Sequence, residues 1–277
     1  MDIELLRTFL EVARTRHFGK AAAELCVTQS AVSARIRQLE HTIGVALFTR
    51  SRNNIQLTPE GRQLHKHAET IVQVWARARQ DTGLGAEFSR GLAVGALLDL
   101  WETLLDGWLQ RLRLHMPDTA LLVESGSTDL LLRKLLDGVI DLAVLFEPPQ
   151  APELEIRELG VINLVLVATR RGLRVDEACR SGYILVDWGT AFARNHARLF
   201  PDLPAPALHM SLGMLARRFL DHNEGAAYLP DRMLSPAHGS RRLYRVKSAP
   251  QIERPVFAVY RTASDRKDTI REALAQL

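Results

Sequence analysis

Apolar residues fall at Val32, Ile36, Leu39 and Ile43, spacings of four, three and four that put them on one face of a helix. Ser30, Ser33, Ala34, Arg37 and His41 point the other way. Upstream, Phe18, Ala21, Ala22 and Leu25 predict a shorter helix whose alanines admit a close neighbour. Between the two, Cys26-Val27-Thr28 leaves room only for a turn, and the Thr28 hydroxyl is placed to cap the second helix. Ile3, Leu6, Phe9, Leu10 and Ala13, with Asp2 as N-cap, predict a first helix packed beneath this pair. Two helices joined by a tight turn, the second with a polar outer face, make a helix-turn-helix.

Gly44 closes that helix. Leu47-Phe48 and Ile55 to Leu57 then read as two short strands around a turn at Ser51 to Asn54, a hairpin that forms a wing. Thr58-Pro59-Glu60 opens a long helix with a capping hydroxyl, proline at the first helical position and a carboxylate in the first turn. Its apolar residues Leu64, Ala68, Ile71, Trp75 and Ala78 follow spacings of four, three, four and three, a heptad seam. One narrow stripe on a long helix between domains predicts pairing with a second copy rather than burial in a core. Gly83 to Gly85 and the polar run from Glu87 to Arg90 read as a hinge.

From Gly91 the pattern alternates: strands at Leu92 to Leu97, Ala120 to Glu124 and Asp141 to Phe146, helices at Leu100 to His115 and Asp129 to Val139. Such alternation predicts an α/β domain with parallel strands and crossover helices. Ligands of these folds sit beyond the carboxyl ends of the strands, here Leu98-Asp99, Ser125 to Thr128 and Phe146-Glu147. A long strand at Leu159 to Thr169 leads into a second lobe. There Tyr183 to Trp188, Ala207 to Met210, a helix at Leu212 to His222 and a strand at Gly225 to Pro230 repeat the theme. Val256 to Tyr260 returns toward the first lobe, and Ser264 caps a final helix. The expected domains are a winged helix-turn-helix over 1–58, a linker and dimerisation helix over 59–90, and a two-lobed domain over 91–277. Lobe one takes 91–160 with 264–277, and lobe two takes 161–263.

The outward residues suit a DNA major groove. The Gln29 amide can bond an adenine edge bidentately, Ser30 and Ser33 donate or accept, and all three lie with Thr28 at the start of the helix, the part that enters the groove. Arg35 and Arg37 lie further along, better placed for phosphates, and Arg50 and Arg52 near the wing tip suit phosphate or the minor groove. The same side chains also suit an ordinary solvated surface. Charge favours the first reading, because residues 1–90 hold 13 Lys+Arg against 9 Asp+Glu whereas 91–277 hold 23 of each. Cys26 and Cys179 lie far apart, so neither a disulfide framework nor a cysteine metal site is expected. Asp2 and Glu4 stand where a signal peptide is basic, and no apolar run reaches a membrane span, so a cytoplasmic protein is expected. None of GxSxG, GxxxxGK[ST], HExxH or a strand-following GxGxxG occurs, so neither an enzyme nor a cofactor is expected, and an isolated strand-end aspartate such as Asp187 is more often structural than catalytic.

The run FLEVARTRHFGKAAAELCVTQSAVSARIRQLEHTIGVALFTRSRNNIQLTPEG resembles the LysR-type transcriptional regulators over roughly the first 90 residues. DLAVLFE and GAAYLP are similar to that family's effector domain, which is itself similar to periplasmic binding proteins, and Leu100 to Glu102 with RNNIQLT look nearest to the HdfR-like members. The resemblance implies dimers that join into tetramers, double-stranded promoter DNA and RNA polymerase as partners, and a small-molecule effector between the lobes. It puts the family's DNA-contacting positions on Gln29, Ser30, Ser33, Arg35, Arg50 and Arg52, although many members carry proline at Ser30 and arginine at Ala34. Ser127 and Thr128 keep the hydroxyls with which many members bind carboxylates. Asp99 to Glu102, however, reads as a capping box whose two carboxylates disfavour an anion. A ligand with a cationic or aromatic part is therefore expected, with Phe146, Glu147 and Asp187 at strand ends and Trp101 and Trp188 either as walls or as ordinary core. Alternatives are a C-terminal half that only oligomerises and, more remotely, a solute carrier or enzyme.

Overall fold

The computed structural model describes residues 2–51, 54–83, 88–180, 182–206, 208–235 and 242–277, with backbone only at 50, 51, 54, 80 and 81. The chain divides into two compact units, Met1–Leu84 with Asp137–Val139, and Gly85–Leu136 with Ile140–Leu277.

In the first unit, α1 (Ile3–Thr15) is capped by Asp2, whose carboxylate accepts from the Glu4 N–H at 3.0 Å. The next helix, α2 (Phe18–Glu24), is capped by His17, whose Nδ1 accepts from the Gly19 and Lys20 N–H groups. Helix α3 (Gln29–Ile43) starts at Thr28, which accepts from the Ala31 N–H at 3.2 Å, and ends at Gly44. Their apolar faces close one core in which Leu6, Phe9, Val12, Ala21, Val32, Ile36 and Leu39 are fully buried. Strands β1 (Phe48–Ser51) and β2 (Asn54–Leu57) pair antiparallel as the wing. Glu40 ties the wing to α3 by accepting from the Leu47 N–H at 2.8 Å.

The long helix α4 (Pro59–Thr82) is capped by Thr58, which accepts from the Gly61 N–H and donates to the Ala46 carbonyl. A Cβ on Gly61 would stand 2.2 Å from the Leu47 carbonyl oxygen, so only glycine lets α4 start this close to the wing. The expected seam divides here. Ala68 is fully buried in the winged-helix core and Leu64 packs against it, so these two do not belong to a free dimer stripe. The correction has a simple cause: the first half of α4 has a core to bury against, the one closed by α1 to α3. Ile71, Val74 and Trp75 remain 40, 39 and 47% exposed, with Ala78 exposed beyond them.

The second unit is built on a 9-stranded sheet in the order β4-β3-β5-β11-β6-β9-β7-β8, with β10 on β6. Strands β3 (Arg90–Ala96), β4 (Thr119–Ser125) and β5 (Leu142–Leu145) are parallel and form lobe one with α5 (Leu98–Leu100), α6 (Asp106–His115) and α7 (Thr128–Leu136). The long β6 (Leu154–Ala168) leads to lobe two, made of α8 (Val175–Arg180), β7 (Tyr183–Val186), α9 (Thr190–Leu199), β8 (Leu208–Met210), α10 (Gly213–His222), β9 (Ala226–Pro230) and β10 (Tyr244–Arg245). Strand β11 (Ile252–Arg261) then runs back between β5 and β6, antiparallel to both, and α11 (Lys267–Leu274) closes on lobe one, where the Trp108 indole donates to the Ala273 carbonyl at 2.7 Å.

The sheet is thus mixed rather than parallel, because the two crossing strands must run against their neighbours. The helix expected at Leu100 to His115 is interrupted by a π-helical turn over Trp101–Leu105, and α7 ends at Leu136 rather than Val139. Arg266, not Ser264, is the N-cap of α11, with the Ser264 hydroxyl accepting from the Arg266 N–H. Ala207, the expected start of β8, and the 84–87 part of the expected hinge lie outside the described residues. Among the described residues, no helix is long and apolar enough to cross a membrane.

Candidate nucleic-acid interface and inter-lobe cleft

Thr28, Gln29 and Ser30 stand exposed on the first turn of α3, and Ser33 is half-buried one turn on. The Thr28 and Ser30 hydroxyls lie 2.9 Å apart, so Ser30 is oriented by the residue that caps the helix. Gln29 projects freely, as a base-reading amide must. The two arginines divide. Arg37 is exposed and donates only to the Ser33 carbonyl of its own helix, whereas Arg35 is half-buried and donates to the Thr8 hydroxyl of α1 at 3.3 Å. Arg35 therefore ties the reading helix to its support. The backbone at Arg50 is in β1 opposite Ile55; the Arg50 side chain and the whole of Arg52 lie outside the described residues. Periodicity gave no sign of the His17 cap or of Glu40 on the wing. A side chain three residues or fewer before a helix, or a glutamate near its end, was the only available signal.

Between the lobes lies a cavity of about 420 Å³, lined among others by Asp99, Ser127, Thr128, Phe146, Glu147, Asp187, Trp188 and Arg254. Seven of these were expected from strand ends. Trp101 is not among them: its indole turns away to donate to the Glu124 carbonyl at 3.0 Å, and it packs on the lobe-one core. Trp188 does border the cavity but is 1% exposed, its indole donating to the Tyr228 carbonyl. Asp99 is not a helix cap either. The N-cap position falls on Leu97, and Asp99 instead accepts from the Gly213 N–H at the start of α10 in the opposite lobe, at 3.0 Å. Burial pushes the Asp99 carboxyl above its ordinary pKa, opposed by the Gly213 and Met214 N–H groups.

Glu147 makes a second bridge. Its Oε1 accepts from the Ala191 N–H near the start of α9 at 2.7 Å and pairs with Arg254 Nη1 at 2.9 Å. Sequence reasoning missed Arg254. It sits on β11, far along the chain, with its guanidinium 4.8 Å from the centre of the Phe146 ring. Burial pulls its pKa down, opposed by the charge of Glu147. Asp187 accepts from the Gly189 N–H at 2.9 Å.

A capped reading helix beside a wing, a long helix with an exposed apolar stripe, and a two-lobed domain around a cleft define a winged-helix DNA-binding regulator. Residues 3–62 match the model of the bacterial regulatory helix-turn-helix protein, lysR family, and residues 85–277 match the LysR substrate binding domain. The regulator HdfR of Yersinia enterocolitica is 38% identical over 99% of this chain and 95% of its own. The structure of full-length CbnR complexed with its target DNA superposes with a TM-score of 0.78 at 19% identity, covering 100% of this chain and 98% of that one. Vibrio fischeri DarR in complex with DNA gives 0.63 at 21%, covering 100% and 99%. The chain belongs to the LysR-type transcriptional regulators, DNA-binding regulators rather than enzymes.

Proposed function

We propose that this regulator acts on promoter DNA in the cytoplasm as a dimer, or a tetramer of paired dimers, on a roughly two-fold symmetric site. Thr28, Gln29, Ser30 and Ser33 read the major groove, Arg37 and the wing arginines Arg50 and Arg52 grip the backbone, and Arg35 holds the reading helix in register. Pairing uses the exposed part of α4, namely Ile71, Val74, Trp75 and Ala78. In this reading residues 1–58 bind DNA, 59–90 link and pair, and 91–277 receive a small molecule in the inter-lobe cleft and communicate with RNA polymerase. The observation that carries it is the exposed polar first turn of α3, held at its start by Thr28 and along its length by the α1 core. A genome-wide map of bound sites, repeated with purified protein at two salt concentrations, tests it. Discrete sites with a two-fold symmetric motif are expected; diffuse binding that vanishes at modest salt would reduce the N-terminal charge to plain electrostatics.

A second reading, in which the C-terminal domain only oligomerises, draws support from Asp99 and Glu147, which bridge the lobes from within the chain. Thermal-shift screening of metabolites separates the two, because a ligand bound only by the folded state raises its melting point.

A further inference from the structure

The cavity is lined by three carboxylates and one guanidinium, which by formal charge invites a cation. The hydrogen bonds say the opposite. Asp99 accepts from Gly213, Asp187 from Gly189, and Glu147 from both Ala191 and Arg254, so each carboxylate already has donors. Arg254 does not have its acceptors. It is 1% exposed, and its Nε and Nη2 are buried with no hydrogen-bond partner. Buried guanidinium N–H groups almost always find a partner. The cleft is therefore short of an acceptor.

We propose that the cleft takes a ligand bearing a carboxylate or similarly planar anion, anchored by Arg254 in exchange for Glu147. The inference rests on the reading of the cleft as an effector site, and it departs from the cationic or aromatic ligand that Asp99 and Glu102 suggested in the sequence. Three features support it. Arg254 is fixed on β11, the strand common to both lobes, and backed by the Phe146 ring. Glu147 is the movable partner, its side chain 38% exposed on the segment after β5. Across the cavity stands the start of α7, where Ser127 and Thr128 offer hydroxyls and the first N–H groups of a helix lack helical partners. A planar anion meets the guanidinium fork bidentately, which a single shared Glu147 oxygen does not. The exchange also frees Glu147 from Arg254 while it still caps α9, so binding weakens one of the two bridges between lobes.

The experiment is chemical rescue in the full-length protein. Glu147→Ala removes the internal carboxylate, and acetate is titrated against acetamide while the melting temperature is followed. A saturable rise with acetate, none with acetamide, and an affinity lower by about tenfold or more in Glu147→Ala/Arg254→Gln are expected. Where that double variant does not fold, Glu147→Ala/Arg254→Lys keeps the cation without the planar fork and carries the same comparison. No rise with acetate, or an equal rise in the arginine variants, overturns the proposal. Metabolites that stabilise the wild type equally with and without Arg254 would overturn it too, yet leave the effector cleft standing. A screen in which no metabolite stabilises the wild type, with acetate still rescuing, would instead remove the effector role and keep the anion site.

Discussion

At the scale of single residues, the reading helix separates side chains that recognise from side chains that hold. Gln29→Ala is expected to reduce discrimination between operator and random DNA by about 1–3 kcal/mol, measured by competition binding, since the amide projects freely from the first turn. An equal loss on both DNAs would assign Gln29 to the backbone. Arg37→Ala should weaken binding to every sequence and reduce the salt slope by about 1. Arg35→Ala, in contrast, acts through the lost Thr8 bond and should lower stability as well as affinity. Thr28, Gln29 and Ser30 were legible in the sequence because position on a helix fixes which side they face. Arg254 was not, because nothing in ERPVF announces that β11 will deliver it beside Glu147, more than 100 positions earlier.

At the scale of elements, caps and stripes were read well and neighbours poorly. Thr28 and Thr58 begin their helices as the sequence indicated, because an N-cap is a local interaction. The seam of α4 was over-extended since a periodic stripe does not say what covers it; Ala68 meets the core of α1 to α3, while Trp75 meets nothing in its own chain's core. Trp75→Glu should therefore leave the winged-helix unit folded and dissociate the pair, which sedimentation velocity can show; intact dimers would refute pairing through this stripe. The alternation after Gly91 gave the strands but not their directions, because β6 and β11 reverse the sheet between lobes. Short α8 and α9 carried too little periodicity to be picked out beforehand.

At the scale of the whole molecule, pH acts through a buried group away from both sites. His196 lies in lobe two, stacked on Tyr183 and with its Nε2 2.6 Å from the tyrosine oxygen. Burial lowers its pKa below the ordinary 6.5, so the folded state resists the proton that the unfolded chain accepts. The stability this contributes is complete above about 6.5 and is lost as pH falls toward the folded-state value. Denaturant melts from pH 7 to 5 should show that loss, and His196→Gln, which cannot titrate, should flatten it. Strand β11 has another consequence, in the order of synthesis. Residues 252–261 fill the middle of the sheet between two strands made about a hundred residues earlier, so the two halves of the sheet wait on the ribosome with open inner edges until the last strand emerges. A chain terminated before Ile252 should consequently precipitate rather than survive as a shortened regulator, and nonsense lesions late in its gene should behave as complete losses.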